Sequence, residues 1–157
     1  MTTYRSGAAI AGIMPDYAQA GVVLCRTGVY TTTHDNIVSG DTIQMVPVPK
    51  GAIIMDIHAY CGTAIGGVSN IDIGDGASSA RFMNGFSWGD LNYLDMMTDG
   101  VVANIGYCYD EGNDTIDINL SEDCATKIPT SIVFTMHVWY KMTGSISDEN
   151  WTGPVTS

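Results

Sequence analysis

The sequence predicts an all-β fold: a single-domain β-sandwich, jelly-roll-like, of about eight strands with at most one short helix. Three observations carry that expectation. Ile, Val and Thr number 44 of 157 residues, against 10 for Leu, Glu and Lys together. β-Branched side chains are stiff at χ1 and pack well on pleated surfaces, whereas Leu, Glu and Lys are the usual helix fillers. Apolar residues recur at every second position along several runs, the period of a strand with one buried face. Finally, 18 Gly and 14 Asp cut the chain into short segments, as turns between strands do.

The elements follow in chain order. Residues 1–20 read as an N-terminal arm of small side chains. Part of it imitates an export signal, with Arg5 ahead of a mildly apolar stretch, but Pro15 and Asp16 spoil the match. The sandwich occupies 21–143, with strands expected at 21–32, 42–48, 52–61, 69–73, 80–86, 101–109, 115–120 and 131–143. Pro47 and Pro49 place the second of these at a sheet edge, or end it before a Lys50-Gly51 turn. In the third, Ile53, Met55, Ile57 and Ala59 alternate with Ile54, Asp56, His58 and Tyr60, and the first set is expected inward. Ile116, Ile118 and Leu120 alternate likewise with Thr115, Asp117 and Asn119. In the last, Ile132, Phe134, Met136, Val138 and Tyr140 should face the core, with Val133, Thr135, His137, Trp139 and Lys141 outward. The single helix is expected over 88–97, where Leu91, Leu94 and Met97 keep helical spacing behind Asp90 as N-cap. Residues 144–157 form a polar tail, extended on a neighbour or mobile.

Charge narrows the partners. There are 17 acidic residues against 6 basic, a formal net charge of −11, so a phosphate backbone is repelled and direct nucleic-acid binding is not expected. Charged residues make up only 15% of the chain, against about 25% in a typical soluble domain. A surface so weakly charged suits a subunit partly covered by others. No apolar run approaches the roughly 20 residues of a membrane span, so no membrane role is expected. Cys25, Cys61, Cys108 and Cys124 form no CxxC pair, and buried free thiols in a reducing compartment are the expected state.

No motif assembles an active site, and no catalytic residue is assigned. Gly85-Phe86-Ser87-Trp88-Gly89 matches the letters of a nucleophile elbow, but that elbow needs a large alternating βα fold with a downstream acid and histidine. The only later histidine is His137, in the middle of a strand. His34, His58 and His137 contain no close His-x-His pair, so no metal site is assigned. Cross-strand pairing or a subunit contact is the expected use of His58 and His137. No cofactor is expected beyond one open option, calcium at the acidic loops. Asp72, Asp75, Asp110, Glu111, Asn113, Asp114 and Asp117 supply hard oxygen ligands there, though without EF-hand spacing. Trp88, Trp139, Trp151 and the tyrosines also suit stacking on sugar rings. The sequons at Asn113, Asn119 and Asn150 would count only in a secreted chain.

A set of strings resembles small head proteins of tailed bacteriophages. They are Val22 to Tyr30 (VVLCRTGVY), Gly40 to Ile43 (GDTI), Pro47 to Ala52 (PVPKGA), Ile71 to Gly76 (IDIGDG) with Arg81-Phe82, and Asp114 to Leu120 (DTIDINL). The resemblance is to capsid decoration proteins, also called cement or head-stabilising proteins. It implies a β-rich domain that docks on the outer surface of the capsid as an oligomer, commonly a trimer, with the major capsid protein as partner. It also implies a virion-exterior location after synthesis in the host cytoplasm, and it transfers no catalytic residue. On this reading the interface candidates are Tyr4, Ile10, Ile13 and Met14 in the arm, His137 and Trp139 on the last strand, and Trp151 in the tail. The alternative is a carbohydrate-binding or adhesin-type module, such as the tip of a fibre or receptor-binding protein.

Overall fold

The computed structural model describes residues 3–5, 22–33, 37–62, 71–86, 93–100, 104–120 and 130–142. Within them lie β1 (Thr3–Arg5), β2 (Val23–Thr31), β3 (Thr42–Val48), β4 (Ala52–Cys61), β5 (Ile71–Gly74), β6 (Met83–Phe86), β7 (Tyr93–Asp95), a one-turn helix α1 (Met96–Asp99), β8 (Asp114–Leu120) and β9 (Val133–Met142). They form two sheets, ordered β1-β3-β8-β5-β6 and β2-β9-β4-β7. Every pairing is antiparallel except β1 with β3. From β2 onward the chain crosses between the sheets at nearly every step, so that β2 to β9 wrap as the eight strands of a jelly roll.

The core lies between the sheets. From β9 it takes Phe134, Met136, Val138 and Tyr140, all at 0% exposure, with Ile132 beside them, the inward set that alternation predicts. Ile116, Ile118 and Leu120 of β8 face them from the other sheet. The turn after β3 forms as its sequence requires. Ala52 N–H donates to the Pro49 carbonyl at 3.1 Å, and Gly51 takes φ 84°, a left-handed conformation that costs glycine little.

Three expectations need correction. In β4 the register slips between Ile54 and Asp56, a β-bulge that lets two successive residues oppose one. Downstream of it Ile57 and Ala59 point inward as expected, but upstream Ala52 and Ile54 are the buried ones, not Ile53 or Met55. The expected helix is shorter and starts later. Residues 93–95 are strand β7, paired with β4, and α1 begins only after Asp95, whose side chain accepts from Met97 N–H as N-cap. Asp90 lies outside the described residues. Two helical turns gain little by themselves, whereas pairing with β4 supplies partners to backbone groups along the sheet edge. The strand expected at 101–109 is, over its described part, a turn and an isolated bridge. Gly106, at φ 87°, bends it, while Gly106 N–H donates to Ile54 O and Tyr109 N–H to Ala52 O.

The outer face of the four-stranded sheet as candidate functional site

Side chains that point away from the core on β2, β9, β4 and β7 stand in rows set by strand register. One row runs Thr27, His137, His58, Asp95, and the next runs Val29, Thr135, Tyr60, Tyr93. On the other side of the first row, Cys25 and Asp56 flank Trp139. The bulge in β4 is what sets Asp56, His58 and Tyr60 on this face in step with β9.

The rows interlock as a continuous aromatic and histidine cluster. The His58 ring lies 4.5 Å from Trp139 and 5.4 Å from Tyr93, centroid to centroid. Tyr60 packs against Tyr93 at 4.9 Å and edge-on to His137 at 5.5 Å. His137 closes the circuit at 5.9 Å from Trp139. Polar contacts fix the rings: Thr27 Oγ1 lies 2.8 Å from His137 Nδ1, and His58 Nε2 lies 2.9 Å from Asp56 Oδ2. The Tyr93 hydroxyl donates to Asp95 Oδ2 at 3.1 Å. Desolvation, and then that carboxylate, push its phenol up to about 12, so it stays a donor at any physiological pH. Tyr60 and Tyr93, each 37% exposed, together with Val29 and Val133, continue the apolar surface. Such a mixture of rings with anchored polar tips is what interface cores are enriched in.

The opposite face of the molecule is different. Outside the five-stranded sheet lies a groove of about 430 Å³ lined by Asp41, Asp72, Asp75, Asp117 and Asn119 among others. Most of its acids are engaged. Asp75 accepts from Ala77 and Ser78 N–H, from the Tyr109 hydroxyl at 2.9 Å and from Arg81 Nε. Asp72 accepts from Gly85 N–H, and Asn119 bridges the Thr42 hydroxyl to the Ser79 carbonyl. Asp117, at 2% exposure, keeps one carboxylate oxygen without a hydrogen-bond partner. Burial pushes its carboxyl up to about 7, and the charges of Asp114 and Asp75 add to the shift. Of the other calcium candidates, Asn113 accepts from Lys50 N–H and Asp114 from Thr115 N–H.

His137 and Trp139, the strand-borne interface candidates, thus stand together on one face. Tyr4 lies in β1, on the edge of the other sheet. Ile10, Ile13, Met14 and Trp151 lie outside the described residues, as do Trp88, Ser87 and Cys124. Cys25 corrects the expectation of uniformly buried thiols, since it is exposed on the outer face of β2, while Cys61 is buried. Sequence reasoning missed Asp56 and Asp95 as members of the cluster. The Asp56-x-His58 spacing was visible on one strand, but Asp95 joins only through the β4–β7 register.

No protein-family model and no curated protein sequence matches the chain. Solved structures do. A chain in the capsid of Ralstonia phage GP4 superposes with a TM-score of 0.70 at 13% identity, spanning 89% of this chain and 97% of that one. A chain of the cyanophage Pam1 capsid asymmetric unit gives 0.57 at 20% identity, over 81% and 90%. One from the acidic stable capsid of Helicobacter pylori bacteriophage KHP30 gives 0.56 at 11%, over 79% and 90%. By fold, this chain is a β-sandwich of the kind found in phage capsid structures.

Proposed function

We propose that the chain is a structural virion protein that binds the outer surface of a phage capsid and stabilises the shell as an oligomer, with a trimer as the expected form. The observation that carries this reading is the near-complete match, 97% of the partner's length, to a chain solved within a phage capsid. The outer face of the four-stranded sheet supports it by offering an aromatic surface for contact with the major capsid protein or with other copies. A net charge of −11 suits a protein partner rather than the genome. The mechanism is additive: contacts that are modest singly become strong when repeated over a lattice, and a protein that binds only the assembled shell stabilises it by linkage. No step of this role needs a catalytic group.

The test is to mix purified protein with expanded capsids that lack it, and to follow cosedimentation and capsid melting. Binding should raise the temperature of shell disassembly. Tyr60→Ala with Trp139→Ala should lose at least about tenfold in affinity, as interface aromatics do, while the free domain keeps its fold. A chain that stays monomeric and never binds shells would sink the proposal.

A second reading has one observation behind it. The Trp139 and Tyr93 rings flank His58, with the Asp56 and Asp95 carboxylates beside them, an arrangement suited to stacking on a sugar ring and accepting from its hydroxyls. A glycan array separates the two readings, because sugar binding lost in Trp139→Ala with shell binding intact would favour the second.

A further inference from the structure

We propose that Asp56, His58 and Asp95 form a binding site for one divalent transition-metal ion of the zinc class. Among the described residues, this is the one group of three His, Cys, Asp or Glu side chains whose ligand atoms all lie within 4.8 Å of one another. His58 Nε2 is 2.9 Å from Asp56 Oδ2 and 3.6 Å from Asp95 Oδ2. Ligands about 2.0–2.2 Å from a tetrahedral zinc stand roughly 3.3–3.6 Å apart, so His58 already stands near that spacing from each carboxylate, and the whole set lies within 4.8 Å. One imidazole nitrogen with two carboxylate oxygens is a donor set that borderline divalent ions accept.

The donors are also held in place, which separates a site from an accidental meeting of side chains. Each carboxylate is anchored through its other oxygen: Asp56 Oδ1 accepts from Ile57 N–H at 2.8 Å, and Asp95 Oδ1 accepts from Met97 N–H at 2.7 Å as the cap of α1. The Tyr93 hydroxyl donates to Asp95 Oδ2 from the side. The His58 ring is lodged between Trp139 and Tyr93. Such outer contacts orient ligands and sharpen affinity. The three side chains keep 19–24% of their surface exposed, enough for an ion to enter and for water or a neighbouring group to complete its coordination.

The experiment is calorimetric titration of the intact chain with Zn²⁺ near neutral pH, paired with quenching of tryptophan fluorescence by Co²⁺. One ion per chain should bind, and Co²⁺ at His58 should quench Trp139, whose ring lies 4.5 Å away. His58→Gln and Asp95→Asn should each weaken binding by at least about tenfold, and His137→Gln should leave it unchanged. Asp95→Asn is the safer variant for folding, because Asn caps a helix about as well as Asp. Should His58→Gln fail to fold, Asp95→Asn and Asp56→Asn decide the matter. Absence of saturable binding, or binding that survives these substitutions, would overturn the proposal. Because the measurement uses isolated protein, it stands or falls independently of the capsid reading.

Discussion

Asp117 sits on β8 with 2% exposure and with one carboxylate oxygen unpartnered. Its ordinary value of 3.8 is raised to about 7, chiefly by burial. The folded state therefore holds a proton that the unfolded chain has released over the interval between those values. The stability this contributes is complete below about pH 4 and is lost as pH rises through about 7, the reverse of the usual carboxylate. The domain should melt higher at pH 5 than at pH 8 through this group, by an amount on the order of 3 kcal/mol. Asp117→Asn should flatten that slope and raise the melting temperature at pH 8; equal slopes in both proteins, measured by calorimetry, would count against it. Alternation along β8 shows which way Thr115, Asp117 and Asn119 point, because period two is a local property. It says nothing of what lies over them. The polar face of β8 is buried because the loop after β5 folds across it, with Asn119 Nδ2 donating to Ser79 O, a contact between residues forty positions apart. Side-chain direction was legible in the sequence; the cover was not.

At the scale of elements, the boundaries of β3 and β4 coincide with the alternating runs at 42–48 and 52–61, because Pro49 and Gly51 punctuate them chemically. The bulge at Met55 has no such mark. Every residue from Ala52 to Ile57 except Asp56 is apolar, so hydrophobicity cannot say which one is skipped, and the pattern was legible on only one side of the irregularity. Of the candidate site, His137 and Trp139 could be read from β9 alone. Asp95 could not, because a short apolar segment admits helix or strand until a neighbouring edge decides it. Gly28 on β2 shows how closely the two sheets meet. A Cβ built there would lie 2.2 Å from the Met45 carbonyl oxygen and 2.8 Å from its carbon, both backbone atoms. Gly28→Ala should therefore cost roughly 3 kcal/mol, seen as a fall in urea midpoint with little change in slope. A variant as stable as the parent would mean that β2 and β3 separate more freely than their packing implies.

The described residues present two unlike faces: an aromatic one outside β2-β9-β4-β7, and a polar, acid-lined one outside β1-β3-β8-β5-β6. β1 matters at this scale too. It is the outermost strand of the five-stranded sheet and runs parallel to β3, pairing Thr3 to Arg5 with Thr42 to Gln44, so it joins the sheet without belonging to the jelly-roll wrap. Removing residues 1–5 should bare β3 over Thr42–Gln44, leaving unpaired N–H and C=O groups there as a template for edge-to-edge association. Light scattering should then show aggregation that grows with concentration and is absent from the intact chain. A truncated protein as soluble as its parent would show that β3 needs no guard. A strand of three residues thus separates a sheet that ends from one that invites continuation.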